Sequence, residues 1–336
     1  MQYKPLGRSG MHVSSLCLGT MEFGTLTDEK EAFNIMDRAL DLGINFFDTA
    51  DVYGYEFGED RADCYRGKTE EIIGHWFKLG GGRREKVILC TKSYSRMHNP
   101  NDFGNDRNGL STFIIRRRLE DSLRRLQTDH IELYMMHRPD RSVGWEELWD
   151  AYDRAFYQGK IDYVGSSCFG AHELMKANQA AKERHSFGLV AEQHHYSLLK
   201  RQAEMEVIPT CEELGIGLMI WSPRASGRLT CKGLHQTEAN SRTARHVLDP
   251  ELRKKLEAYS ALCQDYGYSE ADVAVAWMMQ NPAITCPIIG ARTLKHLDCV
   301  ETIINMKFDD EFNRRLDEIF PSPGVAPDSY IITGKW

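Results

Sequence analysis

The chain has 336 residues, 42% hydrophobic and 27% charged, a balance that excludes disorder as its dominant feature. Its 42 basic and 49 acidic residues leave a formal charge of -7, which offers no global attraction to phosphate backbones or acidic lipid, so no nucleic acid and no membrane partner is expected. No apolar run approaches the roughly 18 to 20 residues of a membrane span, and residues 1–7 have no apolar core of signal-peptide length, so a cytoplasmic protein is expected.

In chain order, a glycine-containing hairpin-like opening over 7–11 comes first. Short apolar runs then alternate with amphipathic stretches. Strands are predicted at 16–18, 44–47, 87–91, 131–135, 163–166, 189–192, 217–221 and 285–289. Apolar residues at helical spacing predict helices over 69–77, 113–126 (opened by Ser111 as N-cap), 294–306 and 309–320. A strand covered on both faces reads as an unbroken apolar run, as parallel strands do. Strands each followed by a helix, with no break in composition, predict an α/β fold: a single (β/α)8 TIM barrel domain over residues 1–336, not a doubly wound sheet with a second domain. Long polar loops over 52–67, 93–109 and 223–250 follow strands 2, 3 and 7, on the side of a barrel that carries chemistry.

Several features are read as structural. The arginines at 116–118 and 124–125 are expected to form a solvated helix face. Gly80, Gly81 and Gly82 are expected at an exposed helix end. Met135, Met136, Met278 and Met279 are expected in the core, with Trp145, Trp149 and Tyr152 on a core face. Nine cysteines without a Cys-x-x-Cys pair are expected to be reduced and mostly structural.

Three of the strands end at ionisable residues: Asp48, Lys92 and His137. Tyr53 lies five residues beyond Asp48, where a loop can fold it over the barrel mouth. A phenol titrates near 10 and is a weak acid alone; a neighbouring ammonium lowers that value, and a carboxylate holds the ammonium charged. Lys92 and Asp48 can supply these groups, and His137 can hydrogen-bond a carbonyl oxygen. None of the four can carry hydride, so a redox reaction here needs a cofactor. No metal site is expected: His194, His195 and His137 lack the early His-x-His of metal-dependent barrels, since the first strand ends in Gly19-Thr20.

The ordered set Leu18-Gly19-Thr20-Met21, Phe47-Asp48-Thr49-Ala50-Asp51-Val52-Tyr53-Gly54, Thr91-Lys92, His137-Arg138-Pro139-Asp140, Val164-Gly165-Ser166-Ser167, Glu192-Gln193-His194-His195-Tyr196, Trp221-Ser222-Pro223 and Pro287-Ile288-Ile289-Gly290-Ala291-Arg292 resembles the aldo-keto reductases over nearly the whole chain. That resemblance implies reduction of a small aldehyde or ketone to an alcohol with NADPH (product NADP+), NADH being the alternative. It implies Tyr53 as general acid, assisted by Lys92, Asp48 and His137. It further implies cofactor contacts at Gly19, Thr20, Met21 and Asp48, carboxamide contacts at Ser167 and Gln193, and ring stacking on Trp221. Ser222, Pro223, Ala225 and Gly227 match the loop over the pyrophosphate, with Lys232 and Arg242 as its basic residues, and Gly290 and Arg292 match the adenosine end. Arg292 can grip a 2′-phosphate, which favours NADPH.

This chain departs from the family pattern at Cys168, where Asn or Arg is usual, and at Cys299 and Val300, where a Glu-Asn pair is usual. The alternative function is a cofactor-binding regulatory subunit resembling the potassium channel β subunits. Those typically lack the histidine that stands here as His137, so the intact set favours turnover. Arg66, Tyr94, Arg96, Arg138 and Arg224 are expected near the rim, which suits a polar substrate. A homo-oligomer is compatible with the sequence.

Overall fold

The computed structural model describes residues 1–54, 66–98, 104–235 and 249–326. Eight parallel strands close into a barrel: β3 (Cys17–Gly19), β4 (Phe46–Asp48), β5 (Ile88–Ser93), β6 (Ile131–Met136), β7 (Ile161–Ser167), β8 (Leu189–His195), β9 (Gly217–Trp221) and β10 (Ile284–Gly290), with β10 pairing to both β9 and β3. Every predicted strand is present. The apolar runs are continuous because each strand packs inward on the barrel and outward on helices; Phe47, Leu89 and Tyr134 face the helical layer while Phe46, Cys90 and Leu133 fill the interior.

Helices α1 (Glu29–Asp41), α2 (Lys68–Lys78), α3 (Thr112–Leu126), α4 (Trp145–Tyr157), α5 (Ala171–Glu183) and α6 (Val207–Leu214) cover the first staves. Ser111 caps α3 as expected, its hydroxyl accepting from the Ile114 amide. After β9 come α7 (Lys232–His235), α8 (Pro250–Asp265) and α9 (Glu270–Met279); α10 (Val300–Asn305) and α11 (Asp310–Ile319) follow β10. The helix expected over 294–306 is broken: a 3-10 turn at Leu294–Leu297, whose Leu294 amide donates to Glu31 on α1 at 2.8 Å, precedes α10. A satellite core under the β9 loop joins α8, α9 and α11 through Leu256, Tyr259, Val273, Phe312 and Leu316. Among the described residues no helix is long and apolar enough to cross a membrane.

The opening hairpin is β1 (Tyr3–Pro5) paired antiparallel with β2 (His12–Ser14). Its Leu6 and Val13 are fully buried against Cys17, Phe46, Cys90, Val190, Met219 and Cys286, which floors the barrel at the N-terminal ends of its strands. Gly7, at φ 55°, makes this seating: a Cβ there would lie 2.5 Å from the carbonyl oxygens of Val190 and Gly215 and the amide nitrogen of Gly217. With the floor closed, access to the interior is left to the opposite rim.

The expectation of a solvated arginine face on α3 is corrected. Arg116 and Arg124 are exposed, but Arg118 is buried and bonded to Asp106 at 3.1 Å, and Arg125 lies largely buried at 2.7 Å from the fully buried Glu70 of α2. The methionine and aromatic readings agree with the fold: Met135, Met136, Met278, Trp149 and Tyr152 are buried, Trp145 packs on the core, and Gly80–Gly82 lie exposed past α2.

Candidate active site

The C-terminal ends of β4, β5 and β6 bring Asp48, Lys92 and His137 to the barrel mouth, and the turn after β4 returns Tyr53 over them. That turn is tied down by main-chain bonds from the Thr49 amide to the Cys90 carbonyl at 2.8 Å and from the Asp51 amide to the Lys92 carbonyl at 3.0 Å. Lys92 is fully buried. Its Nζ lies 2.8 and 2.9 Å from the two Asp48 carboxylate oxygens, donates to the Thr49 carbonyl at 2.7 Å and reaches the Tyr53 hydroxyl at 3.5 Å. The His137 ring stands edge-on to Tyr53, centroids 5.8 Å apart.

Gln193 completes the cluster from β8, its Nε2 donating to Asp48 at 2.7 Å. The Ser167 hydroxyl donates to the Gln193 carbonyl at 3.0 Å. Asp48 thus links β4, β5 and β8, and each of its oxygens has a cationic or amide donor. Thr20 is committed to the same strand end, since its amide and hydroxyl both donate to the Asp48 carbonyl at 3.0 and 2.9 Å. Gly19 ends β3 and Met21 is half-buried beside it.

Burial pulls the Lys92 ammonium down, but Asp48 and then Tyr53 carry it above its ordinary range, so it stays charged. Tyr53 corrects an expectation. Lys92 does lower it, but burial outweighs that pull and Asp48 opposes it, leaving the phenol at about 12. Tyr53 is therefore a protonated phenol at neutral pH. Burial, then the charges of Lys92 and Arg138, push His137 well below its ordinary value, so its ring is neutral.

Further round the mouth, Trp221 ends β9 with one face stacked on His195, centroids 4.1 Å apart and planes 16° from parallel. Burial, Lys200 and His194 hold His195 down at about 4, so this backing ring is neutral at physiological pH. Sequence reasoning missed it; the signal was the period of two that puts His195 on the same face of β8 as Gln193. The following turn holds Ser222, Ala225, Ser226 and Gly227 at positive φ (58°, 49°, 56° and 90°) with Pro223 buried between them. Three non-glycine residues in that region carry backbone strain, which collects at ligand-holding turns. Lys232 and Arg292 are exposed, and Gly290 at the end of β10 faces open space. Arg242 lies outside the described residues.

These residues fit a nicotinamide dinucleotide in their chemistry: an indole held flat at the mouth, an amide and a hydroxyl on the neighbouring strands, a strained turn, and exposed basic groups beyond it. The departures are structural. Val300 is fully buried and offers no polar group, while Cys299 is half-buried against Arg224, whose Nη2 lies 3.6 Å from its sulfur. Arg224 does not serve the rim, because it also bonds the Ala271 carbonyl at 3.0 Å and faces Asp272 at 3.9 Å. Sequence reasoning also missed the fully buried carboxyl of Asp51, which lies in the same turn as Tyr53 but faces Glu70, Arg118 and Arg125.

The Aldo/keto reductase family profile matches residues 15–320, from the first barrel strand to the end of α11. The chain is 51% identical over 332 residues, 98% of its length and 99% of the relative's, to "Uncharacterized oxidoreductase YrpG" of Bacillus subtilis (strain 168). It is 35% identical to "Probable voltage-gated potassium channel subunit beta" of Oryza sativa subsp. japonica, covering 87% of each chain, and 29% identical to "Aldo-keto reductase AMT2" of Alternaria alternata, covering 94% of this chain and 90% of the relative. A profile match spanning the whole barrel, together with a relative aligned almost end to end, means that the chain belongs to the aldo/keto reductase family of oxidoreductases.

Proposed function

We propose that the protein reduces an aldehyde or ketone to an alcohol with NADPH, with Tyr53 as general acid and Lys92, Asp48 and His137 as its assisting groups. The observation that carries this reading is the buried line from Asp48 through Lys92 to the Tyr53 hydroxyl, 2.8 and 3.5 Å per step, at the open end of a floored barrel. When bound, the dihydronicotinamide supplies the two electrons and hydrogen that reach the carbonyl carbon.

Tyr53 gives its proton to the carbonyl oxygen as negative charge develops there. A phenol at about 12 is a weak acid toward a ground-state carbonyl, but it lies well below an alkoxide, so transfer becomes favourable as the new C–H bond forms. The Lys92 ammonium stabilises the phenolate left behind, and Asp48 keeps that ammonium in place through both carboxylate oxygens. Solvent at the mouth then returns a proton to Tyr53. His137, being neutral, can donate a ring N–H to the carbonyl oxygen without competing with Tyr53 as an acid. Trp221, backed by His195, offers a flat face for the nicotinamide ring, and Ser167 and Gln193 offer carboxamide partners. Arg292, and Arg242 outside the described residues, supply charge for a 2′-phosphate.

The test is loss of absorbance at about 340 nm when NADPH meets a reactive aldehyde, and its disappearance in Tyr53→Phe. Removing an acid of this kind should cost about 100-fold or more in kcat. Undiminished turnover by Tyr53→Phe would remove the assignment. The rice relative's printed name, a probable potassium channel subunit, supports a second reading, a regulatory subunit; joined to the cofactor residues above, that reading expects NADPH binding with no turnover of any aldehyde offered.

A further inference from the structure

The arginines expected at the rim differ in what they are bonded to. Arg96 faces Asp106 at 3.2 Å, Arg224 is held by Ala271 and Asp272, and Arg66 donates to the Arg96 carbonyl at 2.7 Å. Arg138 has no carboxylate partner among the described residues. It is exposed, it follows His137 directly at the end of β6, and its Nη1 donates to the Cys168 sulfur at 2.8 Å across to the end of β7.

That contact is built. Cys168 is held at φ 60°, in the left-handed region, and its amide donates to the Gln193 carbonyl at 3.0 Å, which fixes the sulfur at the mouth. The sulfur is a weak acceptor that takes one N–H of the guanidinium, and four of the five N–H donors remain for another partner. The charge also acts on the site itself, since Arg138 is among the groups that depress His137. A guanidinium with no carboxylate partner among the described residues, steered by one contact and within electrostatic reach of the His137 ring, is an arrangement for holding an oxyanion.

We propose that Arg138 anchors an anionic group of the substrate, so that the preferred carbonyl compounds carry a carboxylate or phosphate a few bonds from the reacting carbon. This rests on the carbonyl-reductase reading and names its substrate class. Bidentate N–H bonds to the oxyanion add to a long-range attraction that weakens with salt.

The experiment compares 4-carboxybenzaldehyde, 4-formylphenyl phosphate and benzaldehyde as substrates of wild type, Arg138→Gln and Arg138→Glu with NADPH. Wild type should favour one or both anionic aldehydes, and the two anionic arms separate carboxylate from phosphate recognition. In Arg138→Gln the anionic-to-neutral ratio of kcat/KM should fall about 10- to 100-fold. In Arg138→Glu it should fall further, and added salt should shrink the wild-type ratio. Benzaldehyde turnover with no preference for either anion would overturn the anchor and leave the carbonyl-reductase reading standing. So would an equal loss on all three substrates, the mark of Arg138 merely supporting the Cys168 turn, or an effect confined to the KM for NADPH. Calorimetric binding of 4-(hydroxymethyl)benzoate against benzyl alcohol, with NADP+ present, decides the matter independently of turnover. Weaker binding of the carboxylate by Arg138→Gln supports the anchor, and equal binding of both alcohols by wild type refutes it.

Discussion

Asp51 offers a test of how burial acts on the turn that carries Tyr53. Its carboxyl is fully buried, and no side chain among the described residues hydrogen-bonds either oxygen. Burial, and then the neighbouring Glu70, raise it from the ordinary 3.8 to about 7, against the opposing pull of Arg118, Arg125 and the Val52 amide. The native state therefore keeps a proton that the unfolded chain has lost, so stability declines as pH rises from about 4 through about 7, the reverse of the usual carboxylate. Each pH unit in that window costs about 1.4 kcal/mol, or about 4 kcal/mol in all. Asn has nearly the same shape and stays neutral, so Asp51→Asn should be the more stable protein, by about 2 kcal/mol at pH 5 and about 4 kcal/mol at pH 8. Urea unfolding of both proteins at the two pH values, followed by tryptophan emission, measures this. An advantage that does not grow with pH would refute the reasoning, because it would mean that Asp51 carries the same charge in both states.

Two further outcomes follow from the geometry. Arg292→Ala should raise the dissociation constant of NADPH about 10-fold while moving that of NADH little, as fluorescence titration can measure; equal effects would remove Arg292 as a phosphate clamp. Gly7→Ala forces a Cβ against three main-chain atoms at the barrel floor and should cost about 3 kcal/mol in urea unfolding, whereas a loss below about 0.5 kcal/mol would mean that the hairpin is not seated there.

The barrel was legible in the sequence because the rule that writes it is local. A strand buried on both faces must be apolar throughout, and Asp48, Lys92 and His137 stood out as the points where that rule stops. Grouping them needed only the fact that parallel strands deliver their C-terminal ends to one rim. Two things escaped for physical reasons. Arg118 and Arg125 are seven residues apart on α3 and share a face with Ser122, so periodicity placed them together; only the packing of α2, which buries Glu70 against Arg125, says that this face is covered. The acidity of Tyr53 also escaped. Neighbouring charges can be counted in a sequence, but the dehydration that outweighs Lys92 depends on how densely the mouth is packed.

Cys17, Cys90 and Cys286 are sealed inside the barrel above its floor, while Cys168 at the mouth and Cys299 beside Arg224 are half-buried. Burial raises the Cys17 and Cys90 thiols far above their ordinary range, so inside the closed barrel they are both unreachable and unreactive. The molecule thereby carries its own clock: under native conditions a thiol reagent should consume Cys168 first, with Cys299 slower because burial raises its thiol too. The interior ones then follow only as fast as neighbouring staves part or the hairpin lifts, which turns sulfur chemistry into a stopwatch for the breathing of the barrel.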